Sequence, residues 1–301
     1  KKIKWGVAFN KNFEVQSFFS AIQLINKSRV TSIYSNGFNE AKEIAEKNGV
    51  SEFTNDLNAF LNNEVDIVYL ADNSNEFYKN AKEILEKKKF LLCEKPTSIS
   101  SNEIEDLIEI AQQKNAKVII NYSHRFNPLV VKAKELIDKQ VIGKIHSISA
   151  SYHIDFLPDE SSIYKSKLSG ISVLRDLGNQ MIDLLQYLGG DIKEIKSFGD
   201  KLLYKNPQND FLISALKFEN NFYGNISVSY LSKKPINRIE ILGHKGSLSL
   251  DNLIGGRLIP AKLTILLEGE AKKAFRKAGN KQLNLLKSMQ FLNCINPSTV
   301  K

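Results

Sequence analysis

Residues 67–71 read Ile-Val-Tyr-Leu-Ala, and this short apolar run indicates the fold of the first part of the chain. A second run of the same kind, Val118-Ile119-Ile120, follows further along. Strands of a parallel sheet are covered on both faces, so they are almost continuously apolar instead of alternating with polar residues. Both runs therefore predict buried parallel strands.

The segments around these runs alternate apolar strands with amphipathic helices. The predicted strands are 3–9, 30–35, 66–71, 90–93 and 118–121, and the predicted helices are 15–26, 39–48, 56–62, 75–88 and 100–115. Repeated strand–helix units give a doubly wound parallel sheet, which binds ligands beyond the carboxyl ends of its strands. We therefore predict an α/β fold with a Rossmann-like first domain over residues 1–121. Its strand ends are Asn10, Ser35–Asn36, Asp72–Asn73, Glu94 and Asn121–Tyr122.

The pattern changes after residue 121. A helix near 128–139 and a strand over 144–155 precede a helix near 176–188. Strand-like segments then follow at 192–203, 211–218, 222–230, 238–242, 247–250 and 262–267. Strands in series joined by short turns suit an antiparallel sheet. Residues 122–301 are therefore predicted to form an α+β domain with an open, mostly antiparallel sheet, and we expect the chemistry where the two domains meet.

Composition restricts the class of protein. The 301 residues are 42% hydrophobic and 25% charged, which is typical of a globular protein. The net charge is +9, yet only six of the 42 basic residues are Arg and the lysines are scattered, so we expect no nucleic-acid partner. No apolar run approaches the ~20 residues of a membrane helix, so no membrane association is predicted. Two cysteines, Cys93 and Cys294, suit a reducing, cytoplasmic setting and no metal site.

Lys95 is the first candidate for chemistry. It lies in Glu94-Lys95-Pro96, directly after a predicted strand, and the proline fixes the turn. A partly desolvated lysine at such a strand end can polarise a carbonyl or hold a sugar hydroxyl. The alternative is a solvated turn lysine that continues the run Lys87-Lys88-Lys89.

Asp176 and Gln180 are the second pair of candidates. They are four residues apart, so both side chains share one face of the predicted helix, where they can hydrogen-bond a polyol near Lys95. The alternative for Asp176 is stabilisation of the helix N-terminus, and Asp183 can simply face solvent. A glutamine forms hydrogen bonds but carries no proton near neutral pH, as a histidine does.

Taken together, the order and spacing of these motifs resemble the Gfo/Idh/MocA (glucose–fructose oxidoreductase, inositol dehydrogenase) family over nearly the whole chain. The similar segments are 2–7, 65–69, 92–96, 121–128, 142–145, 176–183 and 242–248. The resemblance implies a Rossmann domain that binds NAD or NADP and redox chemistry on a sugar-like substrate, either a sugar or a cyclitol. It also implies a substrate domain whose open sheet forms the contacts of a homo-oligomer.

The resemblance also implies roles for single residues. In the family, the lysine of Glu-Lys-Pro contacts the reacting hydroxyl, the aspartate matching Asp176 helps to hold it, and a histidine in place of Gln180 accepts the proton. Loss of general acid–base help costs ~10²–10⁴ in rate unless another group substitutes. The candidates for substitution are Tyr122, His124, Tyr152, His153 and Tyr164, each of which is more commonly structural. The predicted substrate contacts are Tyr122, His124, Arg125 and Asp183.

The cofactor segments depart from the family. Phe9-Asn10-Lys11-Asn12-Phe13-Glu14 stands where members have Gly-x-Gly-x-x-Gly, whose glycines allow the tight turn and the close approach of the diphosphate. Ser35-Asn36-Gly37 replaces the acid that holds the adenosine ribose; the serine suits a 2′-phosphate, but no Arg follows it. Asp72-Asn73 replaces Thr-Pro. The predicted cofactor contacts are Phe9, Asn10, Lys11, Ser35, Asn36, Asp72, Asn73 and Glu94, and we expect NAD or NADP binding to be weakened or lost.

Three hypotheses remain open on the sequence. The first is an NAD(P)-dependent oxidoreductase of a sugar or cyclitol hydroxyl. The second is a catalytically inactive sugar-binding or regulatory protein on the same scaffold, as in the yeast galactose-pathway repressor that resembles this family. The third is a partner subunit of an active relative. Family chains also end in a helix after the segment matching residues 290–295, and we expect that helix to be missing or disordered here.

Overall fold

The computed structural model describes residues 2–11, 13–72, 74–95, 99–155, 172–203, 209–254, 260–268 and 273–277. They form two compact units, of which one ends at Ser123 and the other begins at His124. None of the helices in these ranges is long and apolar enough to cross a membrane. The predictions for Tyr164 and for the segment 290–295 lie outside the described residues.

The first unit contains a six-stranded parallel sheet in the order β3-β2-β1-β4-β5-β6, which confirms the doubly wound fold. Its strands are β1 (Ile3–Phe9), β2 (Ser28–Ser35), β3 (Glu52–Thr54), β4 (Ile67–Ala71), β5 (Phe90–Cys93) and β6 (Val118–Ile120). Its helices are α1 (Gln16–Ile22), α2 (Phe38–Asn48), α3 (Leu57–Asn62), α4 (Phe77–Glu86) and α5 (Ser101–Gln113). The sequence reading missed β3, because this edge strand has three residues and none of them is fully buried.

Both faces of the sheet are buried at its centre, as the run 67–71 predicted for β4. The run 118–120 was predicted to be buried as well, but it forms the edge strand β6, whose residues are only half-buried. On one face Trp5 and Tyr69 pack around Phe18, whose ring centroid lies 4.2 Å from that of Tyr69 in a stacked arrangement. On the other face Phe60 belongs to a second apolar cluster, and a Cβ on Gly6 would lie 2.5 Å from its ring. Each large side chain buried in this way contributes about 1.5–3 kcal/mol.

The helix ends show which local signals set them. Helix α5 begins with a capping box, in which the side chains and backbone N–H groups of Ser100 and Glu103 bond reciprocally. Helix α1 is shorter than the predicted 15–26. The N–H groups of Leu24 and Ile25 bond to carbonyls three residues back, so the chain tightens into turns after Ile22.

The second unit contains an eight-stranded sheet in the order β14-β13-β12-β11-β7-β10-β9-β8. Among the described strands of this sheet, β7 and β10 alone pair in parallel, which confirms the mostly antiparallel prediction. Its strands are β7 (Ile145–Asp155), β8 (Ile192–Asp200), β9 (Phe211–Phe218), β10 (Tyr223–Ser229), β11 (Leu231–Gly243), β12 (Gly246–Asp251), β13 (Ala261–Leu267) and β14 (Lys273–Lys277). The sequence reading missed β14, whose three basic residues in five hide the strand pattern.

Two helices of this unit, α6 (Pro128–Asp138) and α7 (Asn179–Gly189), cover one face of the sheet. Met181 and Leu185 of α7 join the same apolar cluster as Ile148 and Ile226 of the central strands. Alternate residues of each strand point to the opposite face. That outer face carries both polar and apolar side chains. Among the apolar ones are Ile213 and Leu266, which are 42% and 51% exposed.

Candidate functional site

The carboxyl edge of the first sheet collects most of the predicted cofactor residues. The strand order reverses between β1 and β4, and doubly wound sheets bind ligands outside the carboxyl ends of the strands at such a point. The residues that end or follow strands here are Phe9, Asn10, Lys11, Ser35, Asn36, Asp72, Glu94 and Lys95. Asn73 lies outside the described residues.

The loop after β1 turns without glycine. The Asn10 N–H donates to the Ala71 carbonyl at 3.1 Å, and the Phe13 N–H donates to the Asn10 carbonyl at 2.9 Å. The Glu14 carboxylate accepts a hydrogen bond of 3.2 Å from the Ser17 N–H, in the first turn of α1. Glu14 therefore adds an exposed negative charge to this segment, while Lys11 offers an exposed cation in the loop.

At the end of β2, one polar side chain is exposed. The Tyr34 hydroxyl donates to Asn36 Oδ1, which orients the Asn36 amide. Asn36 itself is exposed, whereas Ser35 is only 1% exposed. Asn36 is therefore better placed than Ser35 to meet a ligand at this strand end.

Asp72 has a structural explanation. Its side chain is buried, Oδ1 accepts from the Ser74 N–H at 2.7 Å, and Oδ2 accepts from Asn80 Nδ2 at 3.2 Å. Both oxygens thus bind the segment that leads into α4 and the helix itself. The carboxylate at this position fixes the turn after β4 without any ligand.

Glu94 is held by residues from two neighbouring strands. Its Oε1 accepts from the Tyr69 hydroxyl at 2.7 Å and from Asn121 Nδ2 at 2.9 Å. Burial, and next the charge of Glu94, raise the pKa of Tyr69 well above its usual value, so the phenol remains a donor. Neither bond uses Oε2, the second carboxylate oxygen. Lys95 follows directly and is half-buried.

The same arrangement leaves the side-chain oxygen of Asn121 without a hydrogen bond among the described residues. Its Oδ1 is buried and has no hydrogen-bond partner in the described part of the chain. The bond from Nδ2 to Glu94 fixes the orientation of the amide. A buried acceptor without a donor costs about 1–3 kcal/mol, so a residue chosen for stability alone would be apolar here.

In the second unit, Asp176 lies in a π-helical turn, Leu174–Gly178, that runs into α7. The sequence reading of a regular helix from Asp176 was wrong in this turn. The Gln180 side chain, 8% exposed, donates from Nε2 to the Asp176 carbonyl at 3.2 Å. The Gln180 side chain therefore hydrogen-bonds the backbone of Asp176 and not its carboxylate. The π-helical turn itself is of interest because such turns are frequent at functional sites.

The Asp176 carboxylate lies among tyrosines. It accepts a 3.2 Å hydrogen bond from the Tyr230 hydroxyl, and Tyr152 is close enough to be affected by its charge. Burial and the Asp176 charge raise the pKa of both phenols above the usual value. Both remain protonated near neutral pH, so they serve as donors and neither acts as a general base.

Of the two histidine candidates, His153 does not replace the missing base at this position. His153 follows Tyr152 in β7, so its side chain points to the outer face of the sheet, where Nδ1 lies 2.8 Å from Ser229 Oγ. Burial lowers the pKa of His153, which is neutral near pH 7. His124 lies in a short 3₁₀ turn, Ser123–Phe126, before α6. Tyr122 belongs to the first unit.

Asp183 is buried, which corrects the interpretation that it faces solvent. It is 6% exposed, and Arg125 Nε donates to its two oxygens at 3.0 and 2.9 Å. Burial raises the pKa of Asp183, while the Arg125 hydrogen bond and charge lower it. The guanidinium also lies 5.6 Å from the centre of the Tyr187 ring. This ion pair ties α7 to the turn before α6.

Two other features of the described residues fall outside these sites. No group of three His, Cys, Asp or Glu side chains within them is arranged to hold a metal ion. A cavity of about 520 Å³ is lined by Lys4, Arg29 and Glu64 among others. Lys4 and Arg29 are the second residues of β1 and β2, so this cavity lies at the amino ends of the strands, opposite the ligand-binding edge.

Comparison with known families matches both units. Residues 11–122 match the family described as "Oxidoreductase family, NAD-binding Rossmann fold", and residues 130–249 match the "GFO/IDH/MocA C-terminal domain". The chain belongs to the Gfo/Idh/MocA family. Its relatives in that family include enzymes that act on sugars or cyclitols and one regulatory protein.

Myo-inositol 2-dehydrogenase of Thermotoga maritima is 25% identical over 219 residues, which cover 70% of this chain and 64% of the relative. The galactose/lactose metabolism regulatory protein GAL80 of Kluyveromyces lactis is 27% identical over 201 residues, covering 62% of this chain and 44% of the relative. The structure of a levoglucosan dehydrogenase in complex with NADH and levoglucosan is similar with a TM-score of 0.86 at 17% identity, over 98% of this chain and 90% of the other.

Within this Gfo/Idh/MocA chain, the sequence reading overlooked Tyr69, Asn121 and Tyr230. A tyrosine inside the apolar run 67–71 was the available signal, because a buried tyrosine hydroxyl requires a partner. Asn121 was noted only as a strand end. Tyr230 carried no local signal, since its partner Asp176 is 54 residues away in the sequence.

Proposed function

We propose that the protein is an NAD(P)-linked oxidoreductase that acts on a hydroxyl group of a sugar or cyclitol. The observation that carries this proposal is the Glu94–Lys95 pair at the carboxyl edge of a Rossmann sheet, with Glu94 fixed by Tyr69 and Asn121. An acceptor held in this way at the cost of a buried unsatisfied amide oxygen suits a ligand with hydroxyl donors. Membership of the family supports the same reading.

The described residues fit a dinucleotide, but they bind its diphosphate more weakly than a glycine-rich loop does. Glu94 can accept from a ribose hydroxyl, and the Asn36 amide can bond the other ribose. Lys11 offers a cation for the diphosphate, whereas Glu14 repels it. When bound, the nicotinamide supplies hydride transfer, which no protein side chain performs.

The protein's own groups then have separate roles toward the substrate. Lys95 donates to the reacting hydroxyl oxygen, and the Asp176 carboxylate, which the Tyr230 hydroxyl orients, accepts from a substrate hydroxyl. Gln180 forms hydrogen bonds but takes no proton. Proton removal is therefore left to water, and we expect turnover about 10²–10⁴ below that of a relative with histidine.

The proposal is tested by titrating the purified protein with NADH and NADPH while the nicotinamide fluorescence is followed. Saturable binding in the micromolar range supports it, and no binding at millimolar nucleotide overturns it. A panel of sugars and cyclitols with oxidised nucleotide then tests turnover. Lys95→Ala should abolish turnover and retain nucleotide binding, whereas Lys87→Ala, an exposed lysine of the preceding turn, should change neither.

A second candidate is a sugar-responsive binding or regulatory protein without turnover. Gln180 at the proton-acceptor position and the Glu14 carboxylate in the diphosphate loop favour it. One relative of this chain, GAL80, is named as a regulatory protein of galactose and lactose metabolism, which supports this candidate. A sugar that raises the thermal unfolding midpoint without nucleotide, in a protein that binds neither NADH nor NADPH, would favour this candidate over the first.

We also propose that the protein forms a homo-oligomer through the outer face of the second sheet. Four large apolar side chains on this face, Phe198, Ile213, Tyr223 and Leu266, are 80%, 42%, 63% and 51% exposed. On the same face, Arg238 forms ion pairs with Glu240 and Asp251. This face therefore presents both a positive and a negative group to a second copy of the chain. A two-fold contact between copies matches such a self-complementary surface.

A further inference from the structure

Residues 35–37 contain no carboxylate, but that of Glu40 lies close to this segment. Glu40 lies in the first turn of α2, and its side chain folds back over Gly37. A Cβ built on Gly37 would collide with the Glu40 carboxylate, so only glycine admits this approach. The carboxylate therefore lies against the backbone directly after Asn36, at the carboxyl end of β2.

The charges that act on the Tyr34 hydroxyl, beside this strand end, are also negative. The Tyr34 hydroxyl donates a hydrogen bond to Asn36, and the pKa of this hydroxyl depends on the charges around it. Burial raises the pKa of Tyr34, and four carboxylates raise it further. These carboxylates belong to Asp72, Glu83, Glu76 and Asp56. Among the basic residues of α4, Lys82 pairs with Asp106 and Lys79 lies 3.8 Å from Glu76, so both are already matched by acids.

The end of the second strand decides between the two nicotinamide dinucleotides in a Rossmann fold. A carboxylate there accepts a hydrogen bond from the ribose 2′-hydroxyl of NAD, whereas the 2′-phosphate of NADP requires a cation, usually Arg. We propose that Glu40 is the ribose acid of this protein and makes it selective for NAD over NADP. The inference rests on the proposed function, since it concerns the specificity of the same nucleotide site.

Glu40 also has a structural role that the test has to separate. A carboxylate at the third position of a helix stabilises its N-terminus by bonding backbone N–H groups and by matching the helix dipole. Loss of that role lowers stability and leaves nucleotide preference unchanged. Loss of the ribose contact changes the ratio of the NADH and NADPH affinities. The ratio is therefore the deciding measurement, with the unfolding midpoint measured beside it.

The experiment compares the full chain with three variants by fluorescence titration with NADH and NADPH at one ionic strength. The unchanged protein should bind NADH at least about tenfold more tightly than NADPH, which is the effect of one charged hydrogen bond. Glu40→Gln should reduce this ratio at least threefold, and Glu40→Arg should bring it to about one or reverse it. Glu43→Arg, an exposed residue one turn later in α2, makes the same charge change and should leave the ratio as it is.

Each outcome has one meaning. Equal affinities, a preference for NADPH, or a Glu40→Arg ratio equal to that of the unchanged protein overturns the inference and leaves the proposed oxidoreductase standing. A shift of the same size in Glu43→Arg also overturns it, because general charge would then explain the effect. If the unchanged protein binds neither nucleotide at millimolar concentration, both the inference and the proposed function fall.

Discussion

At the scale of single residues, Gln180 most limits the chemistry. Its amide is buried and bonds the Asp176 carbonyl, and the nearby phenols of Tyr152 and Tyr230 have raised pKa values. Gln180, Tyr152 and Tyr230 therefore accept no proton near pH 7. These three side chains offer hydrogen bonds of the kind that a polyol ligand accepts and donates.

Restoring a histidine should restore the base. If the proposed oxidation occurs, Gln180→His should raise kcat by about 10²–10⁴ and make it rise with pH through an apparent pKa near 6.5. The check is steady-state kinetics from pH 5 to 9. Gln180→Leu, which has a similar size and no polar atoms, should show neither change. A Gln180→His variant that folds and binds nucleotide yet gains no rate would contradict the assigned role.

The positions of the residues that end strands could be predicted from the sequence, but their hydrogen-bond partners could not. Glu94 and Lys95 follow an apolar run, so their place at the ligand-binding edge was predictable. The bond from Asn121 to Glu94 depends on β5 and β6 being neighbours. Glu40 was missed because its carboxylate reaches the end of β2 by folding back over a glycine, which no spacing rule indicates.

At the scale of elements, the parallel pairing of β7 with β10 depends on close approach at Gly224. This residue lies opposite Ile148, and a Cβ there would be 2.6 Å from the Ile148 carbonyl oxygen and 3.0 Å from the Phe218 ring. The backbone oxygen belongs to the sheet and has little freedom to move. Gly224 is therefore a packing requirement of the central strand pair.

Adding one methyl group at this position tests that requirement. Gly224→Ala should destabilise the protein by about 1–3 kcal/mol, although alanine is otherwise favoured over glycine in a strand. Ser227→Ala, on the outer face of the same strand, should change stability by less than about 0.5 kcal/mol. Urea unfolding followed by circular dichroism measures both. Equal stability of the two variants would show that the strands can separate to admit the methyl group.

Which elements the sequence revealed follows from their length and pattern. Most buried strands and longer helices were predicted nearly at their observed bounds, because apolar runs and helical periodicity are strong signals. The exception is β11, which begins at Leu231 and not at the predicted residue 238, because its first half is largely exposed and polar. The edge strands β3 and β14 are short or basic, and edge strands need only one neighbour. The π-helical turn at Asp176 has no sequence pattern of its own, so the prediction there was a regular helix.

At the scale of the whole molecule, the open sheet face of the second unit bears on assembly. Phe198 and Ile213 are register partners on neighbouring strands, and both are exposed. The double variant Phe198→Lys/Ile213→Lys should convert the proposed oligomer to a monomer, because two desolvated charges oppose each other across a two-fold contact. Sedimentation velocity at micromolar concentration measures this.

The matched control is Leu24→Lys, which replaces an exposed leucine of the first unit. It should leave the oligomeric state as it is in the unchanged protein. An unchanged protein that sediments as a monomer at all concentrations would exclude the homo-oligomer. Equal dissociation by the control and the double variant would place the contact elsewhere.

The parallel pairing of β7 with β10 also has a consequence for synthesis on the ribosome. His153 of β7 meets Ser229 of β10 only after 76 further residues have been made. At about 5–20 residues per second, β7 waits roughly 4–15 s for its neighbour. During that time β7 has no strand to bond, because both of its neighbours in the sheet, β10 and β11, are made later. A pause in translation before Tyr223 would therefore lengthen the time for which this central strand has no hydrogen-bonded neighbour.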